Sequence, residues 1–187
     1  MVKLNKIYTR TGDAGDTGLV DGSRIGKDQP RIHAIGEVDE LNSIIGVALC
    51  GIKSDEARMM LGRIQNELFD LGADLATPED VTGALRIAAP QIERLEREID
   101  DMNGALAPLT SFILPGGGGG SAAVHHARSA ARRAERSVVA ASRDVPINPL
   151  ARVYLNRLSD HLFVLARWLA RDSGGDILWQ PGATRDG

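Results

Sequence analysis

The chain has 187 residues, a formal net charge of −3 and one cysteine, Cys50. That length suits one domain with a sizeable core and is short for two. The charge excludes general nucleic-acid binding, no disulfide is possible within the chain, and no apolar run approaches the ~20 residues of a membrane span. The opening MVKLNKIYTRTGDAG has no apolar h-region, so a cytoplasmic protein without membrane attachment is expected.

Residues 1–30 lack helical periodicity and are dense in Gly, Asp, Thr and Ser, which reads as a shaped loop or a flexible tail. Within YTRTGDAGDTGLVDGSRIGK, glycines at 12, 15 and 18 let backbone N–H groups converge, and Thr9, Thr11 and Thr17 add hydroxyls. Such a loop can wrap a polyphosphate. It is not a Walker A loop, because Gly22 to Lys27 is one residue short and Asp28 stands where Ser or Thr belongs. No strand precedes it, which removes the dinucleotide fingerprint.

From about Arg31 the pattern turns helical, with Ile35, Val38, Leu41, Ile44, Ile45 and Ala48 spaced i, i+3, i+4 up to Gly51. Ser54 opens a second helix whose apolar stripe runs from Ala57 to Leu75, and Thr77-Pro78 stops it. A third starts near Pro90 with Ile92, Leu95 and Ile99 as its seam. The fourth is expected from Ser121, as N-cap, to Arg143. In the fifth, Leu155, Leu158, Leu162, Leu165 and Leu169 repeat as a heptad series, and Gly174-Gly175 ends it. The expectation is an all-α protein: an antiparallel five-helix bundle over 31–173, an N-terminal loop over 1–30, and a loose tail over 174–187. No strand is expected.

The stretch SFILPGGGGGSAAVHHARSAARRAER carries the densest chemistry. Arg128, Arg132, Glu135 and Arg136 fall on one helical face, with Ala127, Ala131, Ala134 and Val138 on the other. Three guanidinium groups on one face repel unless solvent or an anion separates them. A polyglycine loop before the helix and an aromatic before the loop favour the anion. On the fifth helix, Asn156, Asp160, Phe163 and Arg167 form a polar-plus-aromatic stripe, which reads equally as a packed interior or as a ligand-facing edge. No Glu-x-x-His pair supports a di-iron site, and His33, His125, His126 and His161 lack zinc-like spacing.

Five segments occur in order at characteristic spacing: TRTGDAGDTGLVDG, RIGKDQPRIHAIGEVDELNSIIG, FILPGG, ARSAARRAER and YLNRLSDHLFVLAR. Together, from about Lys6 to Arg171, they resemble the PduO-type ATP:cob(I)alamin adenosyltransferases. The resemblance implies one domain over 1–187, assembled as a homotrimer with active sites at subunit interfaces. The implied reaction moves the 5′-deoxyadenosyl group of ATP to the cobalt of a reduced corrinoid, cob(I)alamin. Thr9, Arg10, Thr11, Gly12, Thr17 and Gly18 would then wrap the triphosphate, with Lys27 neutralising it. Arg132, Arg133, Ala134, Glu135 and Arg136 would line the nucleotide, Arg132 and Arg136 as main phosphate contacts. Glu135 and Asn156 would fix the ribose or adenine. Mg²⁺ would bridge phosphate oxygens without a dedicated protein site. Asp39 would pair with Arg128 across the subunit boundary, Phe112 would cover the lower corrin face, and Phe163 would join it at the corrinoid. An electron-donating reductase, and an adenosylcobalamin-dependent mutase receiving the product, are the implied partners.

The cobalamin-binding signature Asp-x-His-x-x-Gly is absent, since Arg31 stands where its Asp belongs. A site that keeps cobalt free of a lower ligand has no use for that histidine. Two departures from the family pattern stand out. Gly18 replaces a hydroxyl residue, and Gly118 to Gly120 replace bulkier ones, which is expected to loosen the start of the fourth helix. A non-catalytic carrier or sensor of the same ligands, and a plain helical interaction protein, are the competing readings.

Overall fold

The computed structural model describes residues 7–185; the outermost parts of the expected loop (1–6) and tail (186–187) lie outside the described residues. A two-stranded antiparallel hairpin, β1 (Asp16–Gly18) and β2 (Arg24–Gly26), precedes α1 (Pro30–Gly51), α2 (Asp55–Leu75), α3 (Ala89–Gly104), α4 (Ser121–Ala141) and α5 (Pro149–Ala170). α4 packs between α1 and α5, while α3 leans on α5 and α2 on α1. The five-helix bundle is as expected; the hairpin is not. Its strands are three residues each, too short to show alternation, and they register Thr17 opposite Ile25.

Local chemistry explains most helix starts. Pro30 and Pro149 occupy first-turn positions, where a missing N–H costs nothing. Ser54 Oγ accepts from Ala57 N at 3.3 Å, and Asp55 and Glu56 complement the α2 dipole. Asn148 does the same for α5 by accepting from Leu150 N at 3.0 Å.

α4 starts differently from expectation. Its N-cap is Gly120 (φ 92°), and Ser121 is buried, its Oγ donating to Gly116 O at 2.8 Å. A Cβ on Gly120 would lie 2.4 Å from Ile52 Cγ1. The glycine therefore closes the α4 corner onto the end of α1, instead of loosening it as expected.

The heptad leucines of α5 form the core seam. Leu155, Leu158, Leu162 and Leu165 are fully buried. Each contributes roughly 1.5–3 kcal/mol relative to exposure. Opposite them Ala127, Ala131, Ala134 and Val138 are equally buried, and their small size lets α4 approach closely.

Charged ties fasten the rest. Asp74 has a fully buried side chain that accepts from Arg86 Nη1 (2.8 Å), Ile87 N (2.9 Å) and Asn148 Nδ2 (2.7 Å). It joins the end of α2 to the 78–88 connector and the α4–α5 link. α3 docks through Glu98, which receives a bidentate pair from Arg63 at 2.7 Å and meets His161 Nε2 at 2.9 Å. Glu67 accepts from Arg94 and from the buried Tyr154 hydroxyl, both at 2.8 Å.

Burial alone would raise the Glu98 pKa, but hydrogen bonds from His161 and Arg63 overcome it and hold the carboxyl at about 2. Its unfolded value is higher, so its contribution is complete above pH ~5 and fades as pH falls towards 2. We expect acid destabilisation across that window, and Glu98→Gln to flatten it by about 2 kcal/mol after allowance for partial solvation. Urea midpoints at pH 7, 5 and 3.5 check this; parallel curves for both proteins would contradict it.

Part of the expected tail, residues 177–179, is tied back to the chain. Leu114 N donates to Ile177 O (2.7 Å), Trp179 N to Phe112 O (2.8 Å), and Ser111 Oγ to Trp179 O (2.9 Å). Residues 177–179 thus pair with 112–114 at the α4-start end of the bundle. Period-two patterning over three residues left this pairing invisible in the sequence.

Candidate active site

The exposed face of α4 is built by helical spacing. Arg132 and Arg136 stand one turn apart, and Arg136 Nη1 donates to Arg132 O at 3.1 Å. Neither has a carboxylate partner among the described residues, whereas Arg63, Arg86, Arg94, Arg157 and Arg167 all do. With Glu135, Val139, Ala140 and Arg143 they line an open cleft of about 430 Å³. Glu135 Oε1 accepts from Asn156 Nδ2 at 3.0 Å, so α4 and α5 present one prearranged polar pair beside the two arginines.

Two residues of the expected nucleotide set face elsewhere. Arg133 reaches α1, its Nε donating to Glu37 and its Nη2 to Glu40. Those bonds keep its guanidinium strongly basic and take it off the cleft. Ala134 is fully buried, so its side chain packs the core. The 100° step between neighbours explains both outcomes, because 133 and 134 lie off the 128–132–136 line.

One turn earlier, Arg128 is half-buried, with its Nε unpartnered and its guanidinium carbon 5.9 Å from the Phe163 ring centre. Burial first, then the Arg132 charge, lower its pKa. His125 is buried and meets the same ring edge-on at 6.3 Å; burial and then Arg128 hold it below the usual histidine value. Asp39 is exposed on α1 and makes no ion pair among the described residues. The expected Asp39–Arg128 pair is therefore absent within one chain.

The α5 stripe separates. Asn156 and Phe163 meet α4, Asp160 pairs with Arg157 at 2.8 Å, and the buried Arg167 binds Asp176 (2.9 Å) and Ala107 O (2.8 Å). Phe112 is 78% exposed, its one aromatic neighbour among the described residues being Trp179 at 6.1 Å, edge-on. Trp179 was missed in the sequence, since nothing local links it to residue 112.

Several hydrogen bonds link the described residues of the N-terminal loop to one another. Thr9 and Thr11 share a hydroxyl hydrogen bond of 2.8 Å, and Arg10 takes φ 62° with its guanidinium 5.8 Å from the Tyr8 ring. Lys27 Nζ donates to Gly12 O (2.8 Å), and Arg24 Nη2 to Thr11 O (2.7 Å) and Asp16 O (3.2 Å). Thr17 and Gly18 lie in β1. Val20 N donates to Ala76 O at 3.2 Å, seating the hairpin at the α2 end. No hydrogen bond joins residues 9–18 to Arg132, Arg136 or Asn156 within the described chain.

Comparison with known proteins follows this geometry. The profile of the family described as cobalamin adenosyltransferase matches residues 7–169. The chain is 51% identical over 180 residues to a cobalamin adenosyltransferase of Cupriavidus metallidurans, covering 95% of this chain and 96% of that one. It is 48% identical over 190 residues to a corrinoid adenosyltransferase of Mycobacterium tuberculosis, covering 98% and 97%. A phenylalanine-to-alanine variant of the PduO-type ATP:corrinoid adenosyltransferase from Lactobacillus reuteri, complexed with cobalamin and ATP, superposes with a TM-score of 0.88. That pair is 38% identical and covers 94% of this chain and 99% of the other. An arginine-to-lysine variant of the same enzyme complexed with ATP gives 0.83 at 36% identity, covering 93% and 100%. With a profile match across most of its length and relatives near half identity over nearly full chains, the protein belongs to the cobalamin adenosyltransferase family.

Proposed function

We propose that this protein transfers the 5′-deoxyadenosyl group of ATP to cob(I)alamin, giving adenosylcobalamin and triphosphate. The observation that carries the reading is the pair Arg132 and Arg136, two cations without carboxylates beside a Glu135–Asn156 hydrogen bond, over an open cleft. Uncompensated guanidinium groups one turn apart suit a polyanion.

The chemistry asks little of a general base. Cob(I)alamin is itself a strong nucleophile; its cobalt electron pair forms the Co–C5′ bond as the C5′–O bond breaks and its electrons leave on triphosphate. The protein aligns cobalt with the 5′ carbon and stabilises charge on the leaving group. Arg132, Arg136, Lys27 and the Thr9–Gly18 backbone take the second task. Glu135 and Asn156 hold the nucleoside, and Glu135 accepting from Asn156 leaves the other amide and carboxylate positions for ligand hydroxyls. Mg²⁺ would be held by the phosphates themselves. It adds charge compensation there.

No hydrogen bond joins the 9–18 loop to Arg132, Arg136 or Asn156 among the described residues, and in a composite site loop and arginines would come from neighbouring copies of a homotrimer. Arg128 and Asp39, neither of which makes an ion pair among the described residues, are the complementary charges such a contact would join. Phe112 and Phe163 serve the corrinoid, Phe112 by occupying the lower face and excluding a ligand that would make Co(II) harder to reduce. A cytoplasmic reductase supplying the electron, and a mutase taking the product, complete the reading.

The direct test is anaerobic: purified protein, MgATP and chemically reduced cobalamin, followed through the Co(I) absorbance. Loss of that band with equal yields of light-sensitive alkylcobalamin and triphosphate establishes the transferase. A folded protein that binds both ligands without turnover would establish a carrier instead. Phe112→Ala is expected to keep rates from prereduced Co(I) within about twofold while slowing reactions started from Co(II) by about tenfold or more, ~1.4 kcal/mol of barrier. Equal rates from both starting states would reduce Phe112 to a packing residue.

A further inference from the structure

We propose that Arg24 is a positioning residue for the nucleotide: by holding the carbonyls of Thr11 and Asp16 it aims the Gly12 N–H at a phosphate oxygen. This rests on the nucleotide reading of the 9–18 loop given above.

A trans peptide is planar, so the Thr11 C=O and the Gly12 N–H belong to one rigid unit and point in opposite directions. Arg24 Nη2 sits 2.7 Å from the Thr11 oxygen. The Gly12 N–H therefore faces away from Arg24, and it has no hydrogen-bond partner among the described residues. The same guanidinium nitrogen lies 3.2 Å from Asp16 O. Asp16 is opposite Gly26 in the hairpin, and the flanking bonds Lys27 N to Gly15 O and Leu19 N to Ser23 O leave the Asp16 carbonyl pointing outward. One side chain on β2 thus bridges both ends of the 11–16 turn.

Lys27 works beside it. Its Nζ donates to Gly12 O at 2.8 Å, which orients the next peptide, but the Asp13 N–H already bonds to Arg10 O at 3.3 Å. The ammonium keeps two further donors for an incoming anion. Lys27 can therefore meet phosphate while Arg24, with its planar fork, keeps the loop in shape. The turn is tight enough to need this division. A Cβ on Gly12 would come within 3.1 Å of both Asp16 O and Lys27 Nζ, and Arg10 holds a left-handed φ of 62° that non-glycine residues rarely keep without support. Arg24 is exposed, forms no ion pair among the described residues and donates only to carbonyls of the loop, so its loss is expected to leave the bundle intact.

The test uses Arg24→Ala and Arg24→Lys in the full chain. Titration calorimetry reads MgATP affinity, steady-state rates at saturating cob(I)alamin read the KM and kcat split, and amide exchange without nucleotide reads residues 11–17. In Arg24→Ala we expect Kd and KM for MgATP to rise about tenfold, with kcat within about twofold and the cob(I)alamin KM and thermal midpoint unchanged. Exchange over 11–17 should accelerate, and Arg24→Lys should recover part of the affinity by reaching one carbonyl. Unchanged MgATP affinity in Arg24→Ala would overturn the proposal. So would equal losses for both substrates with a lowered thermal midpoint. If the wild-type protein neither binds MgATP nor turns over, the nucleotide reading and the phosphate aim fall together. Unaltered exchange over 11–17 would remove the clamp whatever the activity.

Discussion

Arg132→Ala and Arg136→Ala are each expected to lower kcat/KM for adenosyl transfer by about 10²–10³-fold while the circular dichroism spectrum and melting temperature stay as in the wild type. The size follows from the loss of a charged donor to a leaving triphosphate, worth roughly 2.7–4 kcal/mol at a preorganised site. The structural silence follows from exposure: the Arg132 side chain makes no hydrogen bond or ion pair among the described residues, and Arg136 donates to a carbonyl of its own helix. Arg133→Ala is the internal control. It removes the ties to Glu37 and Glu40, and is expected to shift melting more than catalysis. Full activity in both cleft variants would displace the anion from this face altogether.

Asp74→Ala is expected to give the largest loss of stability, about 3–5 kcal/mol. Its side chain is fully buried, and its removal leaves Ile87 N without an acceptor and takes the carboxylate from Arg86 and the Asn148 amide, which keep the carbonyls of Asp74, Thr77 and Ile87. Asn148 also caps α5, so the damage extends to the helix that carries Asn156 and Phe163. Denaturant midpoints at neutral pH measure this directly. A change under 1 kcal/mol would mean that water replaces the carboxylate at that junction.

The helices were legible because each repeats its apolar spacing over several turns, and the α5 leucines are the clearest case. The face carrying Arg132, Glu135 and Arg136 was legible for the same reason: period 3.6 assigns neighbours without tertiary knowledge. Spacing set Asn156 on the α5 stripe with its reading open, family resemblance assigned it to the nucleotide, and the structure brings it to Glu135. What escaped depends on partners far apart in sequence. Arg133 belongs to the same basic run, and only the α1–α4 crossing shows that it is committed to Glu37 and Glu40. Arg24 carries no signal in the sequence, because only the hairpin brings it to the Thr11 and Asp16 carbonyls. Polyglycine before α4 suggested slack, whereas Gly120 is where the chain has no room for a side chain.

The pairing of residues 177–179 with the Phe112 segment has a consequence for proteases. The 177–179 pass is joined to α5 through Gly174 and Gly175, which take positive φ, while residues 112–114 run on into α4. A single cut there would leave every helix intact and free only the strip that braces the aromatic. Resistance of that bond to limited digestion would then gauge how firmly Phe112 is held, in a sample containing neither cobalt nor nucleotide.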